Sequence, residues 1–500
     1  MTAVTLGLDV GTSGVKAILV DERGDVVAAA TSPLRMSTPQ PGWAEQDPAG
    51  WWDASIASIR KVAAQRPQAR VTSIGISGQM HSSVFLDRAG AVIRPALLWC
   101  DGRTTTECGE IVAAAGGEAQ LRDWVRNPAL EGFTLPKVLW LRRREPDAFA
   151  RLATVMLAKD FIRLRLTGTI ATEPSDASGT LMLDPASMTW CQPLLDAVGL
   201  SSSLLPTVGG SHEILGRVHA EGARATGLGV GTPVVGGGAD NACGAAGVGV
   251  VAPGEAVASW GTSGTVLAPV SQPVVDPRLR AHTFCHVVPG VWYLMGVVLS
   301  AGGAFAWYRD QLARDLAGEA GADERLNEEA AAIAPGADGI TFLPYLQGER
   351  TPHRDAWARG AFTGLSLAHS RAHLTRAVLE GITFALRDSL EILQELGQAP
   401  AELLLTGGGA KSAFVRRLQS EIFGLPVGTV NREEGPAYGA ALLAAVGIGQ
   451  YKDLASAARV TLTRTLTEAP AAGTHARYDD AYRRFVALYP ALHALSAATG

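Results

Sequence analysis

The tetrapeptide Gly-Thr-Ser-Gly occurs twice in this 500-residue chain, at positions 11–14 and 261–264, 250 residues apart. Each copy follows an apolar run (Val4 to Val10; Ala256 to Trp260) and precedes another (Val15 to Val20; Thr265 to Val270). Two apolar runs joined by a short Gly/hydroxyl segment predict a β-hairpin. One such hairpin in each half predicts a duplicated unit. The turn offers several N–H groups and two hydroxyls within a small concavity, which suits phosphate oxygens. A single copy is an ordinary loop sequence; two copies at half-chain spacing point to a polyphosphate held from both sides. A chain of this length exceeds what one core organises. Two domains are expected, 1–248 and 249–500.

Between the repeats lies Gly237-Gly238-Ala239-Asp240-Asn241-Ala242-Cys243-Gly244, a small-residue stretch with one carboxylate. Taken alone, Asp240 reads as a turn or helix-cap residue. Its place just before the expected domain boundary makes it a candidate for the cleft between two domains.

Composition excludes several classes. Hydrophobic residues make up 47% and charged residues 18%, so the chain can bury large cores and is not disordered. A net charge of −5 without a basic stripe argues against a nucleic-acid partner. The five cysteines (Cys100, Cys108, Cys191, Cys243, Cys285) are scattered and odd in number, as in a reduced cytoplasmic protein. His282, Cys285 and His286 have no second ligand pair at zinc spacing, so no metal is expected there. Residues 1–20 read as a strand hairpin rather than a signal peptide, and no apolar run is long enough to span a membrane.

Along the chain, strands are predicted at Thr5–Asp9, Val15–Val20 and Val26–Ala30. Asp47-Pro48 then caps an amphipathic helix carrying Trp52, Ile56, Ile59 and Val62. The strand Val71–Ser77 follows. Three hairpin-joined strands, a helix and a further strand fit the ribonuclease-H-like core shared by actin, the Hsp70 chaperones and sugar kinases. The second half restarts the order at Glu255. It adds a strand at Tyr293–Leu299 and helices at Ser300–Leu316, Arg371–Leu396, Ala413–Phe423 and Pro436–Val446. Its last helix has an apolar stripe of Tyr478, Tyr482, Phe485, Tyr489 and Leu492. The fold class expected is α/β, two ribonuclease-H-like domains with a central cleft.

Three segments carry a family resemblance: Leu6 to Ser13 with Lys16; Gly132-Phe133-Thr134-Leu135-Pro136-Lys137-Val138-Leu139-Trp140; and Gly360 to Leu365 continued by His373 to Glu380. Through them the chain resembles the FGGY carbohydrate kinases over nearly its whole length. Ser77 to His81 and Leu343 to Pro352 are similar to members acting on xylulose. The resemblance implies a fold of the actin/Hsp70/sugar-kinase type, ATP and Mg2+ as cofactors, a small sugar as the other substrate, and a homodimer. It makes Asp240 the catalytic base, able to take a proton from a sugar hydroxyl as phosphoryl transfer proceeds. Asp9 would meet magnesium through water. Gly11, Thr12, Ser13, Gly261, Thr262 and Ser263 would contact phosphate. Lys16 is either an outward-facing lysine or a phosphate contact. Gly408, Gly409 and Ser412, in a Gly-rich segment expected to open a helix, would lie against the adenosine, with Gly302 and Trp307 nearby.

On the sugar side the resemblance implies Met80, His81, Trp99, Asp101, Arg103, Asp240 and Asn241. An isolated histidine at a strand end is otherwise more often structural. Two departures fall in this region: Cys100, where relatives often carry Asn, and Ser82, where they often carry Gly. The function expected is ATP-dependent phosphorylation of a ketopentose, D-xylulose by preference, at its C5 hydroxyl. The rivals are a kinase of the same family for ribulose, a pentitol, glycerol or a hexulose; an ATP-driven switch of the actin/Hsp70 kind; and an inactive sugar sensor.

Overall fold

The computed structural model describes residues 2–497. The first sheet is built on β1 (Thr2–Val10), β2 (Gly14–Asp21), β3 (Val26–Pro33), β4 (Ala69–Gly78), β5 (Ile214–Arg217), β6 (Pro233–Val235) and the short β7 (Gly238–Ala239). Its order is β5-β6-β4-β1-β2-β3, with β7 also paired to β4. β1, β2 and β3 are antiparallel neighbours, whereas β4 runs parallel to β1. Strand β1 is buried on both faces, Leu6 and Leu8 included. Such strands read as continuous apolar runs. Helix α1 (Pro48–Gln65) begins as expected: the Asp47 carboxylate accepts from the Ala49 amide, and Pro48 needs no partner at the first position.

The second sheet contains β8 (Val257–Trp260), β9 (Gly264–Val270), β10 (His282–Cys285), β11 (Trp292–Val298), β12 (Leu403–Gly407), β13 (Val427–Val430) and β14 (Arg464–Glu468), in the order β10-β11-β9-β8-β12-β13-β14. The pairings repeat: β8-β9-β11 antiparallel, β8-β12-β13 parallel. Both sheets therefore carry the ribonuclease-H-like core. Both Gly-Thr-Ser-Gly segments are the tips of the first hairpin, with Val10 paired to Val15 and Trp260 to Gly264.

Seven helices position the rest: α1; α2 (Asp240–Gly247), α3 (Gly302–Gln311), α4 (Arg371–Glu395), α5 (Ala413–Phe423), α6 (Pro436–Gly447) and α7 (Thr474–Ala497). Tyr478 and Phe485 of α7 are buried in the core around α4. Helix α3 is shorter than the expected Ser300–Leu316; it ends at Gln311, a 3-10 turn follows at Arg314–Leu316, and Leu312 is exposed. No helix among the described residues is long and apolar enough to cross a membrane.

Helix α6 comes from the second half of the chain but lies on the first sheet. A Cβ at Gly7 would sit 2.0 Å from the Ala437 carbonyl oxygen, and one at Gly75 would sit 1.9 Å from that of Ala440. The same helix touches α2, where a Cβ on Gly439 would fall 1.9 Å from the Cys243 carbonyl oxygen. These contacts are backbone against backbone, so no side-chain rotation relieves an added methyl. Gly75→Ala and Gly439→Ala are expected to lower stability at or beyond the upper end of the about 1–3 kcal/mol typical of overpacking. Gly50→Ala, in α1 with open space around it, is expected to be neutral or mildly stabilising. Denaturant unfolding of the three variants checks this.

Candidate active site

Asp9, Ser77 and Gly238 stand abreast on three adjacent parallel strands. Asp240 follows two residues beyond Gly238 and opens α2. Both carboxylates thus lie at the C-terminal ends of the parallel strands, where open α/β sheets hold ligands. Burial raises the Asp240 carboxyl to about 7, helped by the Asp9 charge and opposed by the Asn241 amide, which donates to Asp240 Oδ1 at 2.8 Å. Burial likewise raises Asp9 to about 6, against the pull of the Ser77 hydroxyl and of Lys16. Lys16 is paired directly opposite Asp9, so the two side chains share a face and Lys16 turns toward the site.

Asp9 Oδ1 is buried without a hydrogen-bond partner. An orphaned carboxylate oxygen facing a second carboxylate suits a hard divalent cation. The described residues contain no group of three or more such ligands. A sparse oxygen set of this kind fits Mg2+, which keeps waters and phosphate oxygens in its shell.

The peptide carrying Asp240 is braced from behind. The Ala239 amide donates to Ser175 Oγ at 3.0 Å, and Ser175 Oγ donates to Glu173 at 2.8 Å. Glu173 lies 3.4 Å from the ammonium of Lys159, which also pairs with Asp160 at 2.7 Å. All of these side chains are fully buried.

The two turns differ in chemistry. The Thr12 hydroxyl is taken: it donates to Gln79 Oε1 at 3.0 Å and accepts from Trp99 Nε1 at 2.9 Å. Gln46 donates to the Thr12 carbonyl at 2.7 Å and accepts from Gln79 and Trp51. The one proton of the Thr12 hydroxyl points into this network. The amides of Thr12 and Ser13 are left without a partner among the described residues. In the second turn the carbonyls of Gly261 and Thr262 accept from the first amides of α3, those of Gly302 and Gly303. A Cβ at Gly302 would stand 2.6 Å from the Gly261 oxygen, so its role is close packing under the turn. The hydroxyls of Thr262 and Ser263 make no bond within the chain among the described residues.

The Gly-rich segment after β12 does not open a helix directly. Gly408–Ala410 form a 3-10 turn, and Ser412 caps α5, its Oγ accepting from the Val415 amide. Gly409 lies against the Trp260 ring.

Met80, Asp240 and Asn241 are brought together: Asn241 Nδ2 lies 3.1 Å from Asp240 Oδ1 and 3.5 Å from Met80 Sδ. His81 has φ +66°, a left-handed backbone that costs a non-glycine residue about 1 kcal/mol or more. Its Nδ1 lies 2.5 Å from the Gly179 carbonyl, and burial lowers its pKa to about 3. The ring is therefore neutral with its proton on Nδ1, and Nε2 is an acceptor. Asp101 and Arg103, expected on the sugar, are engaged with each other. Asp101 accepts from Arg103 at 2.7 and 2.8 Å and from the Ala44 amide, and Arg103 stacks 3.6 Å from the Trp43 ring centroid. They fix the loop that carries Trp99. Gln46 escaped the sequence reading, and Gln79 entered it only within the Ser77 to His81 segment, because the partners of both are distant in the chain.

Two family models match: the N-terminal domain of the FGGY family of carbohydrate kinases over residues 4–247, and its C-terminal domain over residues 256–448. The chain is 41% identical to a xylulose kinase of Escherichia coli (strain K12) over 450 residues, 90% of this chain and 91% of that one. A crystal structure of a "xyloylose kinase" from Brucella ovis superposes with a TM-score of 0.89 at 39% identity, covering 98% of this chain and 100% of that one. A gluconate kinase from Lactobacillus acidophilus superposes at 0.92 and 28% identity over the whole of both chains. The duplicated hairpins, the carboxylate pair and these matches converge: the chain belongs to the FGGY family of carbohydrate kinases.

Proposed function

We propose that this kinase transfers the γ-phosphoryl group of ATP to the C5 hydroxyl of an open-chain ketopentose, D-xylulose foremost, in the cytoplasm. The observation that carries the chemistry is Asp240, a carboxylate held near pKa 7 between Asp9 on one side and Met80 and Asn241 on the other. A general base is most effective when its pKa is near the working pH. The similarity to xylulose kinases supports the choice of sugar, and five free cysteines support a reducing compartment.

On this reading the sugar hydroxyl donates to Asp240, which orients it toward the γ-phosphorus and takes its proton as the new P–O bond forms. Phosphoryl transfer demands positioning and charge stabilisation more than covalent participation by the protein. The unpartnered amides of Thr12 and Ser13 and the unbonded hydroxyls of Thr262 and Ser263 hold phosphate oxygens from opposite domains. Asp9 would hold Mg2+, which when bound neutralises phosphate charge. Lys16 adds a second positive charge on the same face. His81 Nε2 accepts from a second sugar hydroxyl. The segment Gly408 to Ser412 lines the adenosine. The Asp240 carboxylate can serve any alcohol placed against it, so the sugar contacts decide selectivity.

A coupled ADP-release assay with magnesium-ATP tests the sugar. D-xylulose is expected to give the highest kcat/KM among D- and L-xylulose, D- and L-ribulose, D-fructose, xylitol, glycerol and D-gluconate; preference for another compound moves the substrate and keeps the kinase. Asp240→Ala is expected to lower sugar-dependent kcat by about 10²- to 10⁴-fold while sugar and ATP still bind by calorimetry.

The raised carboxyls also set a stability signature in the ligand-free protein. Their folded pKa values of about 6 and 7 exceed the unfolded value of about 4, so the folded state binds more protons. Stability from these groups is full below about pH 4 and is lost as pH rises through about 7. Asp240→Asn removes the charge. It should match the wild type at pH 4 and become progressively more stable than it toward pH 7, by at most about 4 kcal/mol. Added Mg2+ should narrow the gap. Equal melting curves at every pH would show that Asp240 is not electrostatically stressed.

A further inference from the structure

Lys137 is anomalous for a core residue. Its side chain is fully buried, yet among the described residues it makes no ion pair, and its ammonium donates only to two carbonyls, His81 at 3.1 Å and Gly132 at 2.6 Å. Burying a charge without a counter-ion is unfavourable, and a methionine would fill similar space without that penalty. Burial lowers its pKa to about 7. A neutral amine still has two N–H groups, so both carbonyls stay satisfied on either side of that pH.

Thr134, one turn earlier on the same helix (Thr134–Arg144), donates its hydroxyl to the same His81 carbonyl at 3.1 Å, and the Ser83 hydroxyl, from the adjoining segment, donates to it at 3.2 Å. His81 is the left-handed residue of the acceptor side. Its ring is held at the other end by Gly179, where a Cβ would come within 2.9 Å of Met80 Cε and 3.0 Å of His81 Nδ1. Loss of the two helix donors would leave the carbonyl only the Ser83 hydroxyl of its own segment, loosen the 81–82 peptide plane, let His81 relax toward negative φ, and carry the imidazole away from Gly179.

We infer that Lys137 and Thr134 are positioning residues for the sugar: their two donors clamp the His81 carbonyl and hold the imidazole in the orientation that presents Nε2 to a substrate hydroxyl. This rests on the reading of His81 as a sugar contact.

The test compares Lys137→Met, Thr134→Val and His81→Ala for KM toward D-xylulose and ATP, sugar-free ATP hydrolysis and thermal unfolding. Lys137→Met is expected to raise the sugar KM by about 10- to 100-fold. Its KM for ATP and its sugar-free hydrolysis should be unchanged, and its unfolding temperature no lower than that of the wild type. Thr134→Val should move the sugar KM the same way by less. A general loss of packing would not separate sugar from ATP or leave stability intact. An unchanged sugar KM in folded Lys137→Met overturns the inference, as does a parallel rise for ATP. If Lys137→Met does not fold, an unchanged sugar KM in Thr134→Val overturns it. An unchanged sugar KM in His81→Ala overturns the underlying role of His81 instead.

Discussion

The active-site cleft depends on one kind of contact, peptide backbone laid directly on peptide backbone. Helix α6 approaches the first sheet so closely that Gly7 and Gly75 have no room for a Cβ. Ser73 adds a hydroxyl bond to the Ala444 carbonyl at 2.9 Å. On its other side the helix meets α2 through Gly439 and Gly247, the latter with its Cβ position 2.4 Å from the Gly435 oxygen. Asp240 is the first residue of α2. These glycines, which carry no reactive group, therefore set how far the candidate base lies from the strand end that carries Asp9. They also tie a helix of the second half both to the sheet of the first and to the helix that bears Asp240.

Close packing creates the second constraint. Two half-buried carboxylates are held at neighbouring strand ends, and desolvation is the largest influence on both. Among the described residues nothing neutralises them fully: Lys16 acts on Asp9, and an amide acts on Asp240. The ligand-free cleft is thus strained electrostatically. Cation and nucleotide binding on the proposed reading would relieve that strain, coupling ligand occupancy to the ionised state that a base needs. The same low-dielectric setting strengthens each hydrogen bond that orients the sugar.

Much of this was legible in the sequence, and the limit is physical. Hairpins and amphipathic helices follow from local periodicity, so the strands around Gly11 and Gly261 and the helix α5 at Ala413–Phe423 were readable with nearly correct ends. Asp240 was readable because a duplicated turn brackets it. What could not be read is which partner a polar side chain chooses. Thr12 looks like a phosphate ligand by type and position. Its hydroxyl bonds Gln79 and Trp99, 67 and 87 residues away, and only the folded chain brings them near. Asp101 and Arg103 sit close to the sugar motif in sequence, but at 1% exposure or less for their side chains they answer to each other and to Glu45. Lys137 was visible only as part of a signature, since the carbonyl it grips lies 56 residues earlier.

The two departures from the nearest family pattern act at different depths. Ser82 is fully buried, with its amide donating to the Met80 carbonyl at 2.8 Å. A serine there reaches substrate only through the backbone of the Met80-His81 pair, which Thr134 and Lys137 already hold. Its Cβ restricts the conformations open to the residue after the left-handed His81, reinforcing the clamp. Cys100 is exposed beside Trp99, and its neighbour Asp101 is anchored to Arg103. Exchange of an amide for a thiol at that surface changes what the loop can offer a ligand without shifting Trp99, whose indole is fixed to Thr12. Neither substitution places a charge against Asp240, Asn241 or Met80. Both departures therefore leave the charges around Asp240 unchanged, one at an exposed loop edge and the other buried behind the Met80-His81 pair.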